Sequence, residues 1–302
     1  MTRAKKPVQR KRRPAARSQT RSAGRTYRFL RALLVSSLAS FGAATYVLKP
    51  QWPAQFSPDA ILAKLGWPPQ EKFAPIVVPA GALSQTRFAD CPQFFPKGNM
   101  PVVPSRGDLR ELCFSAFAVL HSGQTKTPVF VAERLNRKTL SQAQGMPRTD
   151  KFYAEARLPR SERSDLDDYK GSGYSRGHMA PAGDMGSRES MAQSFSLANM
   201  VPQDQTQNAG PWSRIEQDTR KYVMRAAGDV YVFTGPFYTD KPKTIGSGVA
   251  VPGYVYKVVY DATTGRSWVH WQANAASTKE GPPISYEEFV RRTGMQLLPT
   301  QG

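Results

Sequence analysis

The sequence predicts an α+β fold, a mixed and mainly antiparallel sheet with flanking helices. Three observations carry that prediction. Apolar or alternating runs over residues 114–120, 128–132, 230–234 and 254–260 have the length and the β-branched or aromatic content of strands. Stretches over 187–194, 211–226 and 285–293 carry helix-start signals and helical spacing. Strands and helices do not alternate as repeated βαβ units would, which argues against a doubly wound parallel sheet.

Before that body come three segments without a core. Residues 1–28 are rich in Arg, Lys, Ser and Ala and read as a disordered basic tail on the cytoplasmic side. Residues 29–49 contain a run of seventeen uncharged residues between Arg31 and Lys49. That is the lower limit for a spanning helix, about 17–25 residues. The run predicts a single-pass anchor, with a cleaved signal peptide as the competing reading. The basic N-terminal flank would keep the tail inside and place the body on the extracytoplasmic, periplasmic side. Residues 50–85, rich in Pro and Ala, read as a tether, and 86–302 as the globular domain.

Charge is less informative than its total suggests. Thirteen Lys or Arg and no Asp or Glu lie in residues 1–49, so the net +19 falls to +6 for the remainder. A mildly basic body helps to steer a polyanion, but a solubility surplus looks the same. The two cysteines, Cys91 and Cys113, are a disulfide candidate, and no CxxC or His cluster accompanies them to suggest zinc. With three histidines in the chain, most multi-histidine metal sites are excluded.

The chemistry concentrates in two stretches. The first, YKGSGYSRGHMAPAGD, runs from Tyr169 to Asp184. Gly171 and Gly173 permit tight turns ahead of Arg176, Gly177 and His178. An imidazole beside a cation, with an ordinary pKa near 6.5, suits proton abstraction from water. The second, SLANMVPQDQTQNAGPWSRIEQDTR, places Asn208, Trp212, Glu216 and Arg220 at intervals of four, along one side of a helix. Pro211 fits only a first helical turn, so the helix is expected to begin between Asn208 and Pro211. Trp212 reads as core. His121 and His270 read as structural.

Several strings in order, GSGYSRGHMAPAGDM, SLANMVPQ, NAGPWSRIEQDTR, VYVFTGPFY and ISYEEFVRRTGMQLLP, resemble the DNA/RNA non-specific endonucleases of the ββα-metal superfamily. This group includes the mitochondrial endonuclease G-like enzymes, and the resemblance covers residues 91–299. It implies His178 as general base, Arg176 and Gly177 as parts of the same motif, and Asn208 as the Mg²⁺ ligand, with Mn²⁺ able to substitute. It further implies Glu216 behind the ligand on the metal's waters, Asn199 as a supporting residue, and Arg220 together with Arg148 as catalytic cations. Arg157 is the alternative to Arg148. Where the family has Asp before Arg-Gly-His, this chain has Ser175, which still donates and accepts a hydrogen bond. The implied substrate is DNA, with RNA as a second substrate, and family members pair as homodimers. Two rival readings remain: a binding protein of this fold without catalysis, and a nuclease restricted to DNA during uptake or transfer.

Overall fold

The computed structural model describes residues 82–239 and 241–299. The expected tail, anchor and nearly all of the tether lie outside them. β1 (Leu83–Gln85) and β2 (Val102–Pro104) pair antiparallel, so residues 83–85, expected in the tether, join the folded part. The main chain of elements continues with β3 (Leu109–Cys113), β4 (Phe117–Ser122), β5 (Thr127–Leu135), α1 (Arg137–Ala143), α2 (Leu166–Tyr169), β6 (Tyr174–His178), α3 (Arg188–Ser194) and β7 (Met200–Asp204). After them come α4 (Ser213–Val223), β8 (Val230–Phe237), β9 (Thr244–Ile245), β10 (Val249–Ala250), β11 (Tyr254–Asp261), β12 (Ser267–Ala273) and α5 (Tyr286–Thr293).

Six strands form the central sheet in the order β12-β11-β8-β5-β4-β3, with every pairing antiparallel. Both faces are covered, which is why its middle strands read as nearly continuous apolar runs. One face carries Phe130, Phe233, Tyr256 and Val258, packed under Phe88, Phe95 and Phe289. The other carries Val119, Val131 and Val255 under Met179, Phe195, Trp212 and Ile215. Period-two alternation then puts Glu133, Thr234 and Lys257 on that second face, at the centre of the sheet. All three are buried.

Local signals set the helix ends. Asn136 caps α1 and Ser187 caps α3, each in a reciprocal box with the residue three places on. Ser285 caps α5, and Gly294 at φ 69° ends it in the left-handed region that glycine adopts without strain. Cys91 and Cys113 form a disulfide across 22 residues, tying the segment ahead of β2 to the end of β3. Such a loop restrains the unfolded chain by about 3 kcal/mol.

Candidate active site

β6 and β7 pair antiparallel with His178 opposite Met200 and Ser175 opposite Gln203. The connection between them holds α3, and β7 runs straight into a helix. The unit is therefore strand, strand, helix. Gly177 is needed for close approach, because a Cβ there would collide with the buried Gln203 side chain, which donates to Gln207 at 2.6 Å.

The helix begins earlier than expected. Asp204 caps it, accepting from the backbone N–H of Thr206 and Gln207, and helical structure is continuous from Gln205. Asn208 therefore sits inside the helix (φ −61°, ψ −52°) rather than at its start. Pro211 falls in the second turn and survives because Asn208–Trp212 is a wide π turn. A proline has no N–H for the ordinary bond and clashes with the carbonyl four back. The π turn also sets the site. In a straight α-helix, residues eight apart stand roughly 80° apart around the axis. Absorbing one extra residue brings Asn208 and Glu216 to within about 20° of each other. Trp212 lies fully in the core.

His178 ends β6 and is held by packing. Its ring meets Phe195 edge-to-face at 5.0 Å and Phe152 at 5.7 Å. Nε2 is buried without a hydrogen-bond partner among the described residues. Burial, with a smaller contribution from the Arg148 charge, pushes the imidazole down to about 3, so the ring is neutral at physiological pH. Arg148 lies over the Phe195 ring, 5.0 Å from its centroid, and pairs with Asp150. Arg157 is occupied elsewhere, on Glu155, the Cys113 carbonyl and the Phe114 ring. Arg176 lies 4.2 Å over Phe152.

Asn199 holds the hairpin connection. Its amide donates to the carbonyls of Ala180 and Ser194 at 2.9 and 2.8 Å, and its oxygen accepts from the Ala180 N–H at 2.8 Å. The loop leaving His178 is thereby fastened to the end of α3. Ser175 faces Gln203 across the β6–β7 ladder.

Beneath the helix lies a buried charge cluster that sequence reasoning missed in part. Burial pushes Glu216 up to about 7, opposed first by Lys257. Arg220 donates to Asp184 at 2.9 Å, and burial raises the Asp184 carboxyl against the pull of Arg220. Burial also drives Glu133 well above the usual carboxylate range, with neither oxygen hydrogen-bonded among the described residues. Lys257 donates to Thr234 Oγ1 at 2.7 Å and lies 5.5 Å from the Trp212 ring centroid. Burial thus raises all three carboxyls, and the charges of Lys257 and Arg220 balance it by pulling them down. The signal was available: Glu133 sits between Val131 and Leu135, and Lys257 between Val255 and Val259, in phase with the buried face.

That balance makes a prediction. Lys257→Met strands buried carboxylates and is expected to cost about 3–5 kcal/mol. At ~2–4 °C per kcal/mol the melting temperature falls by roughly 10 °C. Glu133→Gln, which replaces a carboxyl that burial already holds toward its neutral form, is expected to shift it little. Thermal unfolding of both variants checks the pair.

Among the described residues no three His, Cys, Asp or Glu side chains are grouped to hold a metal. Asn208 would offer a cation a single amide oxygen, and such an ion would keep most of its ligands as water or substrate oxygen. Such a donor set fits Mg²⁺, which dehydrates reluctantly.

The profile of the DNA/RNA non-specific endonuclease family matches residues 97–296. The chain belongs to that family. Among its curated relatives, mitochondrial nuclease EXOG of Xenopus laevis is 38% identical over 155 residues, 47% of this chain and 42% of that one. Human EXOG is 35% identical over 161 residues, 49% and 43% of the two chains. The mitochondrial nuclease of Saccharomyces cerevisiae is 29% identical over 298 residues, 88% and 85%. The chain thus matches under half the length of the EXOG relatives. A crystal structure of the EndoG/EndoGI complex shares the fold at a TM-score of 0.59 and 25% identity, covering 70% of this chain and 91% of that one.

These findings correct the expected location. The relatives are named as mitochondrial nucleases, and no helix among the described residues is long and apolar enough to cross a membrane. The single-pass, periplasmic-domain reading does not stand. It rested on the apolar run within 29–49, outside the described residues, and on its basic flank. An Arg-rich, acid-free stretch has the same composition beside a membrane span as in a targeting segment.

Proposed function

We propose that this endonuclease-family chain hydrolyses the phosphodiester backbone of DNA, and of RNA as a second substrate, with little sequence preference. One observation carries the reading: a neutral, aromatically clamped His178 ends the strand whose partner leads directly into the helix bearing Asn208 and Glu216.

His178 takes the proton from the attacking water, a task open to an imidazole that is uncharged before the reaction. Arg148 and Arg220 set guanidinium charge against the phosphoryl oxygens, where planar geometry suits phosphate. Arg220 stays aligned through Asp184. Asn208 would hold Mg²⁺, or Mn²⁺ in its place, and Glu216 would accept hydrogen bonds from the ion's waters. When bound there, the ion supplies positive charge to the leaving 3′-oxygen. Asn199 and the Phe152–Phe195 clamp keep His178 in place. Contacts made to phosphate and not to base edges leave sequence unread.

The test offers the full chain single-stranded DNA, duplex DNA and RNA with Mg²⁺ and analyses the product ends. Cleavage at many positions leaving 5′-phosphates is expected. Products with 3′-phosphates, or cuts confined to one sequence, would overturn the mechanism.

A further inference from the structure

Beside the reaction centre the fold holds a further groove. It lies between α1 and α4, has a volume of about 500 Å³, and touches the reaction centre through Gly183 and Arg220. Its apolar lining comes from Leu140, Ala143 and Met224. Cations line it too: Arg220, Lys221 and Arg225, with no Asp or Glu among the lining residues. Lys221 and Arg225 are exposed. Gln144 and Gln217 add amide groups.

We propose that this groove is a subsite for one unpaired nucleotide of the substrate strand, flanking the bond that is cut. The inference rests on the nuclease reading above. Lys221 and Arg225 take the flanking phosphate, the apolar lining takes a base face, and the two glutamines reach its hydrogen-bonding edge. A base within a duplex keeps its faces stacked on its neighbours, so only an unstacked nucleotide offers a face to such a wall. Volume agrees with the occupant, since pockets for small organic ligands run from about 300 to 1,000 Å³. Position agrees as well. Arg220, which the mechanism sets against the phosphoryl oxygens, itself lines the groove. The pairing of Arg220 with Asp184 sets one guanidinium between Glu216 and the groove, so a strand lying on Arg220 continues into it.

Two variants of the full chain test the subsite: Lys221→Ala with Arg225→Ala, which removes exposed charge, and Ala143→Trp, which fills the groove. Binding of a labelled single-stranded 10-mer is measured in EDTA at several salt concentrations. Turnover of bis(p-nitrophenyl) phosphate with Mg²⁺ is measured beside it, because that diester is too small to reach the groove. Both variants are expected to bind the 10-mer roughly tenfold more weakly, about 1.4 kcal/mol, with the small diester turned over at the wild-type rate. Releasing that one phosphate in the double variant should also flatten the salt slope by about 0.7. Unchanged binding in both variants, or equal losses on the 10-mer and the small diester, would overturn the subsite. A wild type that binds the 10-mer through these residues but turns over no diester would sustain the subsite and sink the nuclease reading instead.

Discussion

His178→Ala is expected to lower single-turnover cleavage of a duplex oligonucleotide by about 10²–10⁴-fold, the range of a positioned general base. Substrate binding should change little, because the ring is clamped by Phe152 and Phe195 and holds no charge at neutral pH. The loss should therefore fall on kcat and not on KM. His178 also makes a pH prediction by elimination. Its imidazole is pushed down to about 3, so the base stays available as pH drops below 6.5. Glu216 is pushed up to about 7 by burial. A carboxylate with a raised pKa is ionised above that value and protonated below it. Activity at limiting Mg²⁺ should accordingly fall as pH drops through about 7. High Mg²⁺ favours the ionised carboxylate and should move that limb to lower pH. A limb at the ordinary imidazole position, unmoved by Mg²⁺, would assign it to His178 and contradict the burial argument.

Asn208→Ala is expected to remove the side chain that would anchor the metal. Lewis-acid stabilisation is worth several kcal/mol, and each 1.36 kcal/mol is tenfold in rate, so a fall of about 10²–10³-fold follows. The Mg²⁺ concentration for half-maximal activity should rise together with it. Isothermal titration with Mn²⁺, read apart from turnover, should show weakened binding in the variant. Undiminished Mn²⁺ affinity in Asn208→Ala would place the metal elsewhere.

Much of the fold was legible because the central strands and α3, α4 and α5 carry local signals, whereas α1, as long as α3, was not expected. Runs of Val, Phe and Tyr announced β4, β5, β8 and β11, and cap residues announced α3 and α5. What local pattern could not reveal was long-range. The pairing of β6 with β7 spans the whole α3 connection, and neither strand has a clean alternation, since β6 reads Tyr-Ser-Arg-Gly-His. The π turn was hidden for another reason. Pro211 signals a helix start when only α geometry is considered, whereas the wide turn accepts it one turn later. Spacing by fours correctly gathered Asn208, Glu216 and Arg220 on one helix, yet their alignment depends on that extra residue. Glu133 and Lys257 escaped because charged residues were not expected within buried strands, although their phase with neighbouring valines marks them.

Metal-dependent backbone hydrolysis by this chain is tested most directly on supercoiled plasmid. Purified full-length protein is incubated with the plasmid in Mg²⁺ or in EDTA, beside a His178→Ala copy shown to be folded. Nicking and then linearisation are expected from the wild type in Mg²⁺ alone, with the variant leaving the plasmid supercoiled. Cutting that persists in EDTA, equal cutting by the variant, or a folded wild type that leaves the plasmid intact would contradict it.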